Sequence, residues 1–188
     1  MRNILRNRLA LSTVVTTLII LVVSVLLAGV VTYFAINVTS TRVQEESLQV
    51  SNQHIWVASD GTVQGAIMIT NTGGRDVVIS KIAVRGQTSA WTNVFYALAN
   101  KTLDATAITA DLAYVDSLAA ASDIGLNATA TLATGNLVLA SGSTIVVYIT
   151  SPDSITINDI GLTVAFTVFT SQAMYYKETN VNAYNIPA

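Results

Sequence analysis

Few side chains in this sequence are of the types that carry out catalysis. The chain of 188 residues contains one histidine, His54, and no cysteine, which excludes thiolate nucleophiles, thiolate metal sites and disulfide bonds. No G-x-S-x-G elbow, P-loop or dinucleotide-binding fingerprint is present. We interpret His54 as a residue at the surface or boundary of a strand, and we predict that the protein is not an enzyme and has no cofactor.

Four aspartates in the middle of the chain could provide oxygen ligands for a cation: Asp104, Asp111, Asp116 and Asp123. They are spaced too widely for the loop of an EF-hand, which takes its ligands from about 12 consecutive residues. A calcium site built by a folded loop stays open as an alternative to solvated carboxylates on the surface. We predict the solvated arrangement and therefore no metal site.

The tripeptide N-x-[ST], the acceptor for N-glycosylation, begins at Asn37, Asn100 and Asn127. Attachment of sugar requires an exported chain and an accessible loop. Asn100 and Asn127 meet this condition if the middle of the chain is a surface loop. Asn37 lies at the membrane boundary of a predicted helix and is the less suitable acceptor. We therefore predict sugar on Asn100 or Asn127.

The dominant element of the chain is an uncharged apolar run over residues 9–41. About 20 apolar residues suffice to cross a bilayer as a helix, and in lipid a helix satisfies its own backbone hydrogen bonds. Arg2, Arg6 and Arg8 precede the run, and the first ten residues contain no acid. Because Lys and Arg next to a membrane segment stay in the cytoplasm, we predict the N-terminus inside and the long C-terminal part outside.

Residues 8–19, which join the arginines to the apolar run, read RLALSTVVTTLI. They resemble the class III leader and N-terminal helix of archaeal type IV pilins and the related archaellins. The resemblance implies that a membrane peptidase cuts between Ala10 and Leu11, with Arg8 as the upstream basic residue. Bacterial type IV pilins carry a glutamate at the fifth mature position, which is Val15 here, so the resemblance is to the archaeal branch.

The same resemblance implies a function, a set of partners and a location. The protein would be a structural subunit of an extracellular archaeal pilus-like filament at the cell surface, polymerising through its N-terminal helix and serving adhesion. Its partners would be identical subunits in a helical polymer, the cytoplasmic membrane before assembly, the leader peptidase and the assembly machinery. Alternatives are an archaellin of the swimming filament and a monomeric membrane-anchored surface protein; a secreted enzyme is a third class.

Three segments follow from these patterns: a leader over residues 1–10, a hydrophobic helix over residues 11–51, and an extracellular domain over residues 52–188. The helix is predicted to continue past the membrane because residues 42–50 contain helix formers and neither Pro nor Gly. The alanine-rich part, residues 104–123, is predicted to be either a short helix or a surface loop.

From His54 onwards the hydrophobic pattern has a period of two, which indicates strands. Residues 78–85 place Val78, Ile82 and Val84 on one face, and residues 162–170 place Leu162, Val164, Phe166 and Val168 on one face. Turn sequences such as residues 59–62 and 71–74 separate the strands. Short strands with Gly, Asn and Pro turns predict an Ig-like antiparallel β-sandwich, and with the helix an α+β fold.

The number and distribution of charged residues argue against one class of partner, nucleic acid. Charged residues make up 11% of the chain, against about 25% in a typical soluble protein. The first ten residues carry three of the nine basic residues, which leaves six against eleven acidic residues in the remainder. An acidic domain behind an apolar helix argues against binding of nucleic acid.

Overall fold

The computed structural model describes residues 2–43, 45–99, 111–116, 118 and 129–186, with side chains described over this range except at residues 2–10, 41–43 and 99. The chain divides into two compact units, Met1–Val43 and Gln44–Ala188. The first unit contains one apolar helix and the second is built mostly of β-strands. The prediction of an α+β chain with an N-terminal apolar helix is confirmed.

The helix α1 extends over Arg2–Val43, and its predicted end at residue 51 is wrong. Residues 48–51 instead begin the first strand. Residues 45–47, which we call the entry segment, have no regular secondary structure, and the backbone N–H groups of Thr72 and Gly73 donate to the Ser47 carbonyl at 2.9 and 3.1 Å. A tertiary contact thus overrides the helix propensity of this stretch.

Ten strands and two short 3₁₀ helices occur in the described part of the second unit. The strands are β1 Leu48–Ala58, β2 Val63–Asn71, β3 Val77–Val84, β4 Gln87–Thr88, β5 Val94–Ala99, β6 Thr131–Leu132, β7 Leu137–Leu139, β8 Thr144–Thr150, β9 Thr163–Thr170 and β10 Met174–Tyr184. The 3₁₀ helices are Trp91–Asn93 and Ile157–Asp159.

The strands form one sheet in the order β4-β3-β9-β10-β1-β2-β8-β5-β6, and β7 also pairs with β3. Residues 55–58 of β1 pair in parallel with residues 181–184 of β10, so the prediction of a purely antiparallel domain is wrong at this pair. The alternation of apolar residues predicts which face a strand buries. It does not predict which strand lies beside it or in which direction that strand runs.

The sheet folds over on itself around its main core. Phe166 on β9 packs against Gly65 on β2, although β10 and β1 lie between these strands in the sheet; a β-carbon on Gly65 would lie 3.0 Å from Cζ of the Phe166 ring. The core is apolar and draws on both halves of the sheet, with fully buried members that include Ile55, Ile67, Ile79, Leu139, Ile149 and Phe166.

A second, smaller core lies on the other face of strands β1, β2, β5 and β8. Residues 111–116 and 118 cover it without regular structure, and the Gln64 side chain holds this cover by exchanging two hydrogen bonds with the Val115 backbone, at 3.1 and 2.9 Å. The Tyr148 hydroxyl donates to the Ala113 carbonyl at 2.9 Å. Burial raises the pKa of Tyr148 to about 12, so this donor stays protonated at physiological pH.

The loop between β8 and β9 is fastened by Asp159. Its carboxylate accepts hydrogen bonds from the backbone N–H and the hydroxyl of Thr156, at 2.8 and 2.9 Å, and from the Arg85 guanidinium at 2.8 Å. Arg85 also donates to the Ser154 carbonyl at 3.3 Å. The bonds from Thr156, with a smaller contribution from Arg85, hold the pKa of Asp159 below its usual range.

The packing of Phe166 on Gly65 makes the substitution Gly65→Ala destabilising. The added methyl group would press on the ring, and overpacking of this kind costs about 1–3 kcal/mol. Chemical unfolding of the purified full-length chain in detergent, followed by circular dichroism, measures the loss. Gly135→Ala is the control, because no atom lies within 4 Å of a β-carbon placed there. Equal unfolding midpoints for the two variants would contradict this account of the core.

The low pKa of Asp159 predicts a pH-dependent effect of Asp159→Asn. A carboxyl group whose pKa is lowered by folding stabilises the folded state above its unfolded pKa, and this contribution disappears as the pH falls through the folded pKa. The variant should therefore have a lower melting temperature than the parent protein at pH 7, and the gap should narrow below about pH 4. Equal melting temperatures of Asp159→Asn and the parent protein at pH 7 would contradict this role of Asp159.

Candidate functional site

The most distinctive surface of the described chain is the apolar part of α1. Leu11–Ser40 is long and apolar enough to cross a membrane, and its side chains are exposed along the whole segment. At about 1.5 Å per residue the segment is about 45 Å long, and the hydrocarbon core of a bilayer is about 30 Å thick. The segment is therefore compatible with a membrane anchor or a signal sequence.

Five polar side chains inside this apolar segment bond to the helix's own backbone. In each case the donor lies three or four residues after the acceptor carbonyl, at distances of 2.7–3.1 Å. The donors are Thr16, Thr17, Ser24, Thr32 and Asn37. Because these hydroxyl and amide groups have partners within the helix, the segment can enter surroundings without water at a reduced cost.

The residues of the predicted cleavage site lie within this helix. Arg8 and Ala10 are part of α1, and Leu11 is the first residue of its apolar segment, with an exposed side chain. Asn37 also lies in the helix, where its amide donates to the Tyr33 carbonyl at 3.1 Å. The other two predicted glycosylation sites, Asn100 and Asn127, lie outside the described residues.

His54 has a structural role in the contacts that the structure describes. Its ring stacks on Trp56 with 5.1 Å between ring centroids, and its Nε2 bonds to the carboxylate of Asp111. The pair joins β1 to the segment that covers the second core. Within the described residues, no group of three His, Cys, Asp or Glu side chains is arranged to hold a metal ion; Asp104 and Asp123 lie outside them.

The entry segment is the second distinctive site, because it ties the start of the β-rich unit to the turn after β2. The Ser47 hydroxyl lies 2.9 Å from that of Thr72, and the carboxylate of Glu46 accepts a hydrogen bond from the Thr170 hydroxyl. Gly73 is so close that a β-carbon there would lie 2.7 Å from the Glu45 carbonyl oxygen and 2.8 Å from the Ser47 nitrogen. Only glycine fits this approach of two backbones.

Asn71 sets the shape of that turn from a fully buried position. Its amide nitrogen donates to the carbonyls of Arg75 and Leu139 at 2.8 and 3.0 Å, and its oxygen accepts from the N–H of Gly73 at 3.0 Å. The Asn-Thr-Gly-Gly sequence predicts a turn here. It does not predict that the turn holds the entry segment, although two adjacent glycines are a signal for a close backbone approach.

The sequence matches no protein-family model and no curated protein. Similar solved structures include a β-glucosidase from Listeria innocua in complex with glucose, at 12% identity and a TM-score of 0.28, over 76% of this chain and 16% of that chain. The same enzyme in complex with isofagomine is similar at 14% identity and a TM-score of 0.26, over 76% of this chain and 17% of that chain. At these TM-scores the likeness does not establish a shared fold.

The close approach at Gly73 predicts that Gly73→Ala releases the entry segment. The methyl group would collide with the Glu45 carbonyl, and the bonds from Thr72 and residue 73 to Ser47 would be lost. We expect a loss of about 1–3 kcal/mol in the free energy of unfolding and faster cleavage after Glu45 and Glu46 by a glutamyl endopeptidase. Gly135→Ala should be cleaved at the parental rate. If Gly73→Ala were cleaved at the parental rate, the role of Gly73 in holding the entry segment would be refuted.

Proposed function

We propose that this protein is a structural subunit of an extracellular archaeal type IV pilus-like filament, assembled through α1 and used for surface adhesion. One observation carries the proposal: the uncharged segment Leu11–Ser40 follows a basic N-terminus, and its side chains are exposed within the described residues. The compact β-rich unit that follows is suited to the outside of such a filament. In this proposal that unit is an Ig-like sandwich.

In the proposed mechanism the helix is first held in the membrane and then transferred to a bundle of identical helices. Lipid and a bundle of apolar helices are similar surroundings, so the association depends on close packing rather than on the hydrophobic effect. Small residues on one face of a helix permit such packing. Thr17, Ser24, Ala28 and Ala35 are spaced by seven, four and seven residues, which places them on one face of α1.

The membrane stage of this mechanism also has support in the helix itself. The arginines at the N-terminus would stay on the cytoplasmic side, and the β-rich unit would be outside. Removal of the leader between Ala10 and Leu11 would leave a mature chain that begins with the apolar segment. The proposed glycosylation of Asn100 or Asn127 would then take place on the exported unit.

Two related functions differ from this proposal in measurable ways. An archaellin would be required for swimming. If deletion of the gene removes thin filaments and leaves swimming intact, the result favours the pilus. A monomeric membrane-anchored surface protein would keep its leader and would be recovered from cells with Met1 at its N-terminus.

The position of the cut gives the decisive test. Filaments sheared from the native cells should contain a subunit that begins at Leu11, as shown by N-terminal sequencing. Ala10→Trp should abolish cleavage and filaments in electron micrographs, because the resemblance implies a small residue before the cut. Asn3→Trp, in the leader but away from the cut, should assemble normally. Filaments built from subunits that begin at Met1 would overturn the proposal.

A further inference from the structure

The cover of the second core is attached to the sheet by noncovalent contacts, and we call this cover, residues 111–116 and 118, the strap. Gln64 and Tyr148 form hydrogen bonds with the strap backbone. The chain contains no cysteine, so a disulfide bond cannot reinforce this attachment. A different pair of side chains, one on the strap and one on the last strand, has the geometry for a covalent bond.

This pair consists of two tyrosine rings in close contact. Tyr114 on the strap stacks on Tyr184, the last residue of β10, with 4.1 Å between the ring centroids and 26° between the ring planes. Aromatic pairs in proteins usually have their centroids about 4.5–7 Å apart, so these two rings lie closer than most. Both residues are partly exposed.

The Tyr114 ring is held in place on two further sides. Trp56 lies edge-on to it, with 6.1 Å between the centroids, and the Tyr114 hydroxyl lies 3.0 Å from that of Thr62. The Thr62 hydroxyl donates its one hydrogen to the carboxylate of Asp60 at 2.6 Å. The Tyr114 hydroxyl is therefore the donor in its contact with Thr62.

The backbone of the sheet holds Tyr184. This residue pairs with Ala58 where β10 runs parallel to β1, and its carbonyl accepts a hydrogen bond from the N–H of Ser59 at 3.0 Å. Two reacting groups that are already held in contact avoid the entropy cost of meeting. The rings of Tyr114 and Tyr184 are thus arranged to react with each other in preference to a ring of another chain.

We propose that Tyr114 and Tyr184 are an oxidative modification site, at which a peroxidase with hydrogen peroxide joins the two rings as dityrosine. Each phenol loses one electron and one proton to become a phenoxyl radical. The two radicals form a carbon–carbon bond between the ring positions next to their hydroxyl groups, and the hydrogen on each of these carbons moves to the oxygen of its own ring. Hydrogen peroxide takes up the two electrons and two protons and becomes two molecules of water.

The new bond closes a covalent loop from residue 114 to residue 184. Covalent cross-links limit the conformations that the unfolded chain can adopt, and for disulfides this effect stabilises the folded state. The dityrosine bond therefore fixes the strap over the second core. The inference goes beyond the proposed function, because it concerns the β-rich unit alone and holds whether or not the chain forms filaments.

Oxidation of the purified full-length chain in detergent, at high dilution, tests this site. After treatment with peroxidase and hydrogen peroxide, the parent protein should run as a monomer in denaturing electrophoresis, show dityrosine fluorescence and have lost two hydrogens by mass spectrometry. Peptide mapping should locate the bond between Tyr114 and Tyr184, and the unfolding midpoint in denaturant should shift upward. Tyr184→Phe should show neither the monomeric cross-link nor the shift, because the ring is kept but the phenol is lost.

Tyr176→Phe is the matched control. Tyr176 also lies on β10 and is 57% exposed, but its hydroxyl donates to Glu178 and the ring is not part of the stack. This variant should form the monomeric cross-link at the parental yield. Equal monomeric yields for the two variants, or a parent protein that cross-links only between chains or not at all, would overturn the proposal. Circular dichroism of each variant before oxidation verifies that the fold is retained.

Discussion

The strongest physical constraint on this protein is the apolar segment Leu11–Ser40, whose side chains are exposed within the described residues. Full burial of one Val, Leu or Ile side chain stabilises by about 1.5–3 kcal/mol, so a few such groups already equal the net stability of a typical domain, about 5–15 kcal/mol. The exposed side chains of Leu11–Ser40 far exceed that number. The segment is therefore compatible with a membrane anchor or a signal sequence, and its self-bonded Ser, Thr and Asn side chains suit surroundings without water.

The β-rich unit, in contrast, closes its own apolar cores. The contact of Phe166 with Gly65 shuts the main core, and the segment held by Gln64 and Tyr148 shuts the second one. The entry segment marks the change between the two kinds of structure. Hydrogen bonds to Ser47 and the absence of a side chain at Gly73 fix where the sheet begins.

Local sequence patterns predict much of this arrangement. The features that they do not predict depend on contacts between residues distant in sequence. Alternation correctly places Val164, Phe166 and Val168 in the core, but Leu162 precedes the strand and is exposed. In β3 a shift of register between Ile79 and Lys81 buries Ile79 fully in place of Val78. The end of the helix at Val43 and the parallel pairing of β1 with β10 depend on partners distant in sequence. The proposed function rests on residues 8–19, whose resemblance to a leader cleavage site lies in the sequence and not in the shape of the helix.

The membrane stage and the filament stage of the proposal make different demands on the same helix. Lipid and helix surfaces are alike, so the hydrophobic effect does not drive the association of apolar helices, and close packing must do so. Thr16, Ser24 and Asn37 donate to backbone carbonyls of their own helix, so these polar groups keep their partners in either surroundings. The small residues on one face of α1, which include Ser24 and Ala28, would then permit the close approach that a bundle of helices requires.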